Sequence, residues 1–158
     1  MTLDNMDFAL LDLLQRDNRR ALRDYAFDLG ISAPTCLRRL RRLEKNGVIL
    51  RHAAIVNPRR AGLGVFAYVE VVLVNPSGSR MATFERRMQR CREVLQCSEL
   101  AGHVDYLLTL ATRDMAAFHD FTRRELAADD QVREFRSMLV LRHSKEQGAL
   151  PLSEDQTA

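Results

Sequence analysis

Residues 31–47, Ile-Ser-Ala-Pro-Thr-Cys-Leu-Arg-Arg-Leu-Arg-Arg-Leu-Glu-Lys-Asn-Gly, constrain the chain more than any other stretch. They describe a helix with both ends marked. Ser32 offers a hydroxyl to an unpaired amide of the first turn, the usual role of an N-cap residue. Pro34 is tolerated only in a first turn, where its missing N–H costs nothing. Asn46-Gly47 supplies the stop, with Gly47 free to take a left-handed conformation. Inside, Leu37, Leu40 and Leu43 recur every three residues and define a face to bury. At 100° per residue, Thr35, Arg38, Arg39 and Arg42 are expected on the opposite face, with Arg41 on the flank. A helix with leucines on one side and arginines on the other suits phosphates and base edges.

Charge is unevenly spread over the 158 residues. The whole chain has a formal net charge of +3. Residues 1–62 hold 12 Lys and Arg against 7 Asp and Glu, while residues 63–158 hold 12 against 14. A basic first part and a mildly acidic second part imply two tasks, only the first of which faces a polyanion. At 46% hydrophobic and 28% charged residues the chain has enough apolar material for packed cores. Residues 1–15 carry Asp4 and Asp7 where a signal peptide would be basic, and no apolar run reaches spanning length. The three cysteines, Cys36, Cys91 and Cys97, form no CxxC pair and fit reduced thiols in a cytoplasmic protein.

The apolar periods give an order of elements. Asn5 is positioned to cap a first helix carrying Phe8, Leu11 and Leu14 to about residue 16. Residues 21–29 form a second helix with Leu22, Tyr25, Ala26 and Leu29 inward, ended by Gly30. With the basic third helix this makes a helix-turn-helix. Two short apolar runs in residues 48–56, split by Arg51-His52, predict a hairpin wing, closed by Asn57-Pro58. Residues 57–64 contain two glycines and read as a linker. Residues 65–74 then form a strand, 79–92 a helix, 94–101 and 106–112 two strands, 114–127 a helix and 132–142 a last strand. The expected class is α+β: a winged helix-turn-helix domain over residues 1–56, then a βαββαβ ferredoxin-like sheet domain over residues 65–143. Residues 144–158 are expected to be a loose tail. The first and third strands are apolar on both faces, yet two helices cover only one, so a second copy is expected against the open face.

The chain resembles the leucine-responsive regulator/AsnC (Lrp/AsnC) family of prokaryotic transcription factors over about residues 3–142. Three segments carry the likeness. The first is Leu29-Gly30-Ile31-Ser32 with Pro34-Thr35-Cys36, running through Arg38-Arg39-Leu40-Arg41-Arg42-Leu43-Glu44 to Gly47-Val48-Ile49. The second is Asn57-Pro58 with Gly62. The third is Gly102-His103-Val104-Asp105-Tyr106-Leu107-Leu108. The resemblance implies a DNA-binding first domain, and a second domain that makes homodimers, associates further, often into octamers, and binds a small effector, usually an amino acid. It implies double-stranded DNA contacts from Arg23, Ser32, Pro34, Thr35, Arg38, Arg39, Arg41 and Arg42. It implies an effector loop of Gly102, His103, Val104, Asp105 and Tyr106, with Asp105 toward an ammonium group and backbone amides near Gly102 toward a carboxylate. Such a protein works in the cytoplasm on the nucleoid, with no membrane partner.

Enzyme readings find no support in the sequence. His103/Asp105 and His119/Asp120 stand near each other without a nucleophile motif. No phosphate-binding loop, dinucleotide fingerprint or HExxH zinc motif occurs, and the histidines and cysteines lack metal-ligand spacing, so neither cofactor nor metal is expected. Two rivals stay open at this level. One is a nucleoid-structuring DNA-binding protein with no effector; the other is a metabolite-binding module that docks on an enzyme.

Overall fold

Asp4, not Asn5, opens the first helix. In the computed structural model, which describes residues 2–145 and 148–152, α1 spans Asn5–Arg16. The Asp4 carboxylate accepts from the Asp7 amide at 2.9 Å, and the Asp7 carboxylate accepts from the Asp4 amide at 3.2 Å. This reciprocal box satisfies two donors that Asn5, one residue too late, would leave open. The second helix, α2, spans Leu22–Asp28, and α3 spans Ala33–Lys45. Ser32 caps α3 by accepting from the Thr35 amide at 3.4 Å, and Gly30 and Gly47 take φ values of 64° and 70° as the turns require. The three helices enclose a small core of Leu10, Leu11, Tyr25, Ala26, Cys36 and Leu43.

The hairpin expected over residues 48–56 is absent. Residues 48 and 49 bend, residues 50–56 have no regular structure and the segment joins no sheet among the described residues, so the first domain is a helix-turn-helix without an internal wing. Arg51-His52 explains this, since a two-residue hairpin needs residues such as Asn-Gly that accept positive φ. Leu50 and Ile55 are left 88% and 92% exposed. The tail also departs from expectation. The Leu150 amide donates to Gln15 Oε1 at 2.7 Å, and Leu152 packs beside the three-helix core. Met1 and residues 146, 147 and 153–158 lie outside the described residues.

The chain divides into two units, Met1–Ile55 with Lys145–Ala158, and Val56–Ser144. The second is a four-stranded antiparallel sheet in the order β2-β3-β1-β4, with β1 at Val65–Leu73, β2 at Val94–Glu99, β3 at Tyr106–Thr112 and β4 at Val132–Leu139. Helix α4 spans Gly78–Met88, and α5 spans Met115–Thr122, continuing into a π-helical turn at Arg123–Ala127. This is the expected βαββαβ order. Alternate residues Ala67, Val69, Val71 and Leu73 of β1 and Tyr106, Leu108 and Leu110 of β3 bury against Phe84, Met88, Phe118, Phe121 and Leu126. The other face is more mixed than the sequence suggested. Tyr68 lies opposite Met138 there, but Glu70 lies opposite Arg136. At the start of β1, Gly64 is required by close approach, because a Cβ at that position would lie 2.9 Å from the Arg113 carbonyl oxygen.

Candidate nucleic-acid interface and effector loop

The inward face of α3 is set by Ala33, Cys36, Leu40 and Leu43; Leu37 lies at its edge. Arg39 follows Cys36 by three residues and precedes Leu43 by four, so it flanks the buried face instead of opposing it. Its guanidinium Nη1 donates to Asp4 Oδ1 and Oδ2 and to Asp7 Oδ1, each at 2.8 Å. Arg42 donates to the other oxygen of Asp7. Asp7 is fully buried, so these two cations neutralise a charge that could not otherwise be sheltered. The Arg39 side chain is 23% exposed and that of Arg42 is 42% exposed. Their guanidiniums thereby tie α3 to the start of α1.

Arg38, Arg41 and Lys45 are different. They are exposed, and none forms an ion pair among the described residues. Ser32 and Pro34 lie exposed at the start of α3, and the Ser32 and Thr35 hydroxyls are 2.9 Å apart. Arg23 on α2 is exposed and approaches Asp24 at 3.5 Å. Cys36 is buried, and burial pushes its thiol pKa up, so it remains a neutral core group.

In the sheet unit, residues 102–105 turn between β2 and β3. Gly102 and His103 are exposed, and no heavy atom stands within 4 Å of a Cβ built on Gly102. Val104 is buried. Asp105 is held from both ends: its amide donates to the Val71 carbonyl at 3.0 Å, and its Oδ2 accepts from the Leu73 amide at 2.7 Å. Tyr106 is fully buried, and its hydroxyl donates to Glu85 Oε1 at 2.9 Å. The structure thus keeps residues 102–105 together at one corner and turns the polar end of Tyr106 toward α4. No group of three or more metal-ligating side chains occurs among the described residues, and none of their helices is long and apolar enough to cross a membrane.

A helix-turn-helix with an open arginine face, joined to a helix-backed antiparallel sheet, defines a DNA-binding transcriptional regulator with its own ligand-binding domain. The family model for the AsnC-type helix-turn-helix domain matches residues 3–44, and that for the Lrp/AsnC ligand binding domain matches residues 66–150. The chain belongs to the Lrp/AsnC family of transcriptional regulators. It is 35% identical over 144 residues to the leucine-responsive regulatory protein of Rhizobium meliloti, covering 91% of this chain and 92% of that one. It is 31% identical over 150 residues to the Bkd operon transcriptional regulator of Pseudomonas aeruginosa, covering 95% and 98%. A transcriptional regulator of Neisseria meningitidis, solved in complex with L-Met, superposes with a TM-score of 0.89 at 32% identity over 95% of this chain and 97% of that one. These relatives are transcriptional regulators.

Proposed function

We propose that this regulator is sequence-specific, reads double-stranded DNA with the outward face of α3, and responds to an amino-acid effector at residues 102–106. The observation that carries the DNA contact is the contrast within one helix. Arg39 and Arg42 are held by Asp4 and Asp7, while Arg38 and Arg41 have no carboxylate partner among the described residues. Arg38 then faces base edges, with Arg41 on the backbone and Ser32, Pro34, Thr35 and Arg23 at the rim. The L-Met complex of the Neisseria protein supports an amino acid as the effector class. Asp105 keeps one carboxylate oxygen for the effector's ammonium group, and the open space around Gly102 admits its carboxylate to the backbone.

Dimerisation through the open sheet face completes the reading. Tyr68 and Met138 lie exposed opposite each other there, and the unpaired segment at Leu50 and Ile55 offers further apolar surface. Two copies present two α3 helices to successive turns of a two-fold site, and larger assemblies such as octamers present more. The test is fluorescence anisotropy with DNA from upstream of the protein's own gene, against competitor DNA and across the twenty amino acids. The reading requires a preference of at least about 10³ over competitor and a shift with one or a few amino acids. Binding that competitor abolishes and no amino acid alters would favour a nucleoid-structuring protein.

A further inference from the structure

A cleft of about 460 Å³ opens between α4 and the edge strand β2, separate from residues 102–105. Its size is that of a small-metabolite site. The floor is apolar: Met88 is fully buried and Cys97 half-buried beside it. Its polar lining residues include Glu85, Gln89, Glu99 and Tyr106. No lysine, arginine or histidine lines it.

Neither carboxylate is committed to a cation, a condition they share with Glu70, Asp105 and Asp130 among the described residues of this unit. Glu93, Asp114, Asp120, Glu125, Asp129 and Glu134 are each held by an arginine. Glu85 and Glu99 form no ion pair among the described residues. Glu85 accepts only the Tyr106 hydroxyl, through Oε1, which leaves Oε2 for another donor. Burial, and then the Glu85 hydrogen bond, raise the Tyr106 pKa far above its ordinary value, so the phenol stays a neutral donor that fixes the Glu85 carboxylate in place. Cys97 is pushed up to about 11, chiefly by burial and then by Glu85, which leaves it a packing group and not a nucleophile.

We infer that this cleft binds a small organic cation, an ammonium or guanidinium group on a short aliphatic stem, with Glu85 and Glu99 taking the charge and Met88 and Cys97 packing the stem. The chemistry is that of an aliphatic diamine, a guanidinoalkylamine or a basic amino acid. Charge-assisted hydrogen bonds to two carboxylates select the cation. The inference does not depend on how DNA is read. Tyr106 nevertheless links the cleft to the turn at residues 102–105, because it is the first residue of β3.

The experiment is calorimetric titration of the full chain with cadaverine, agmatine and lysine, with leucine and glutamate as controls. At least one cation is expected to bind saturably with a Kd of about 0.1–1 mM, and glutamate is expected to give no cleft-dependent heat. Glu85→Gln keeps an oxygen to accept from Tyr106, and Glu99→Gln alters an exposed side chain, so both variants fold; circular dichroism checks this. Each is expected to weaken cation binding about tenfold or more, the loss of one charge-assisted contact. No saturable binding of any of the three cations up to about 10 mM overturns the inference, as does binding that neither variant weakens. DNA affinity, measured separately by anisotropy, is expected to be the same in both variants without cation, so failure here is distinct from failure of the DNA-binding reading.

Discussion

Arg39 in α3 donates to the fully buried Asp7 in α1 at 2.8 Å. The same guanidinium grips Asp4, and Arg42 takes the second oxygen of Asp7, so the residues that cap α1 also anchor α3. One cluster thereby fixes the N-terminus of the first helix and the angle at which the third is presented.

Arg39→Ala is expected to lower the stability of the helix-turn-helix unit by about 2–3 kcal/mol, because Asp7 keeps its buried charge with one cation fewer. Chemical denaturation checks this. Arg38→Ala and Arg41→Ala are expected to leave stability within about 0.5 kcal/mol of the parent, as exposed positions do.

The same cluster predicts an acid limb. The Arg39 hydrogen bond holds the Asp4 carboxyl below its ordinary value of 3.8. A depressed folded-state pKa contributes stability that is complete above the unfolded value and is lost as pH falls through the folded one. Thermal melts are therefore expected to fall below about pH 4, and Asp4→Asn to flatten that limb while lowering the plateau.

Most of the fold was legible because helix caps, apolar periods and strand alternation are local signals. Ser32, Gly47 and the apolar residues of β1 stand where their chemistry demands. What was missed depends on partners far away in sequence. The three-residue leucine spacing concealed that Cys36, not Leu37, faces the core, and so moved Arg39 off the buried flank in the sequence reading. In the sequence Asp4 and Asp7 count only as acids that argue against a signal peptide; their three-residue spacing is the available signal of a capping box. The resemblance places Tyr106 in the effector loop, and nothing local in the sequence says that its hydroxyl reaches Glu85. Only the fold brings those two together.

Gly64→Ala is expected to destabilise the sheet unit by about 1–3 kcal/mol, since the new methyl meets a backbone carbonyl that cannot move aside cheaply. Gly102→Ala has open space and is expected to leave the melting temperature unchanged. Differential scanning calorimetry of the two variants checks the contrast.

Asp105→Asn keeps an oxygen for the Leu73 amide and removes the charge. Stability is expected to change by less than about 1 kcal/mol, while the response of DNA binding to an amino acid is lost. Anisotropy with and without the effector reads this directly.

The most direct measurement is the salt dependence of anisotropy-detected binding to the upstream DNA for the parent, Arg38→Ala, Arg41→Ala and the double variant. An α3 whose outward cations meet DNA predicts folded variants, a loss of affinity of about tenfold or more in the double variant, and a salt slope shallower by about one for each phosphate-contacting cation removed. A double variant that keeps both the parent affinity and the parent slope would contradict the account.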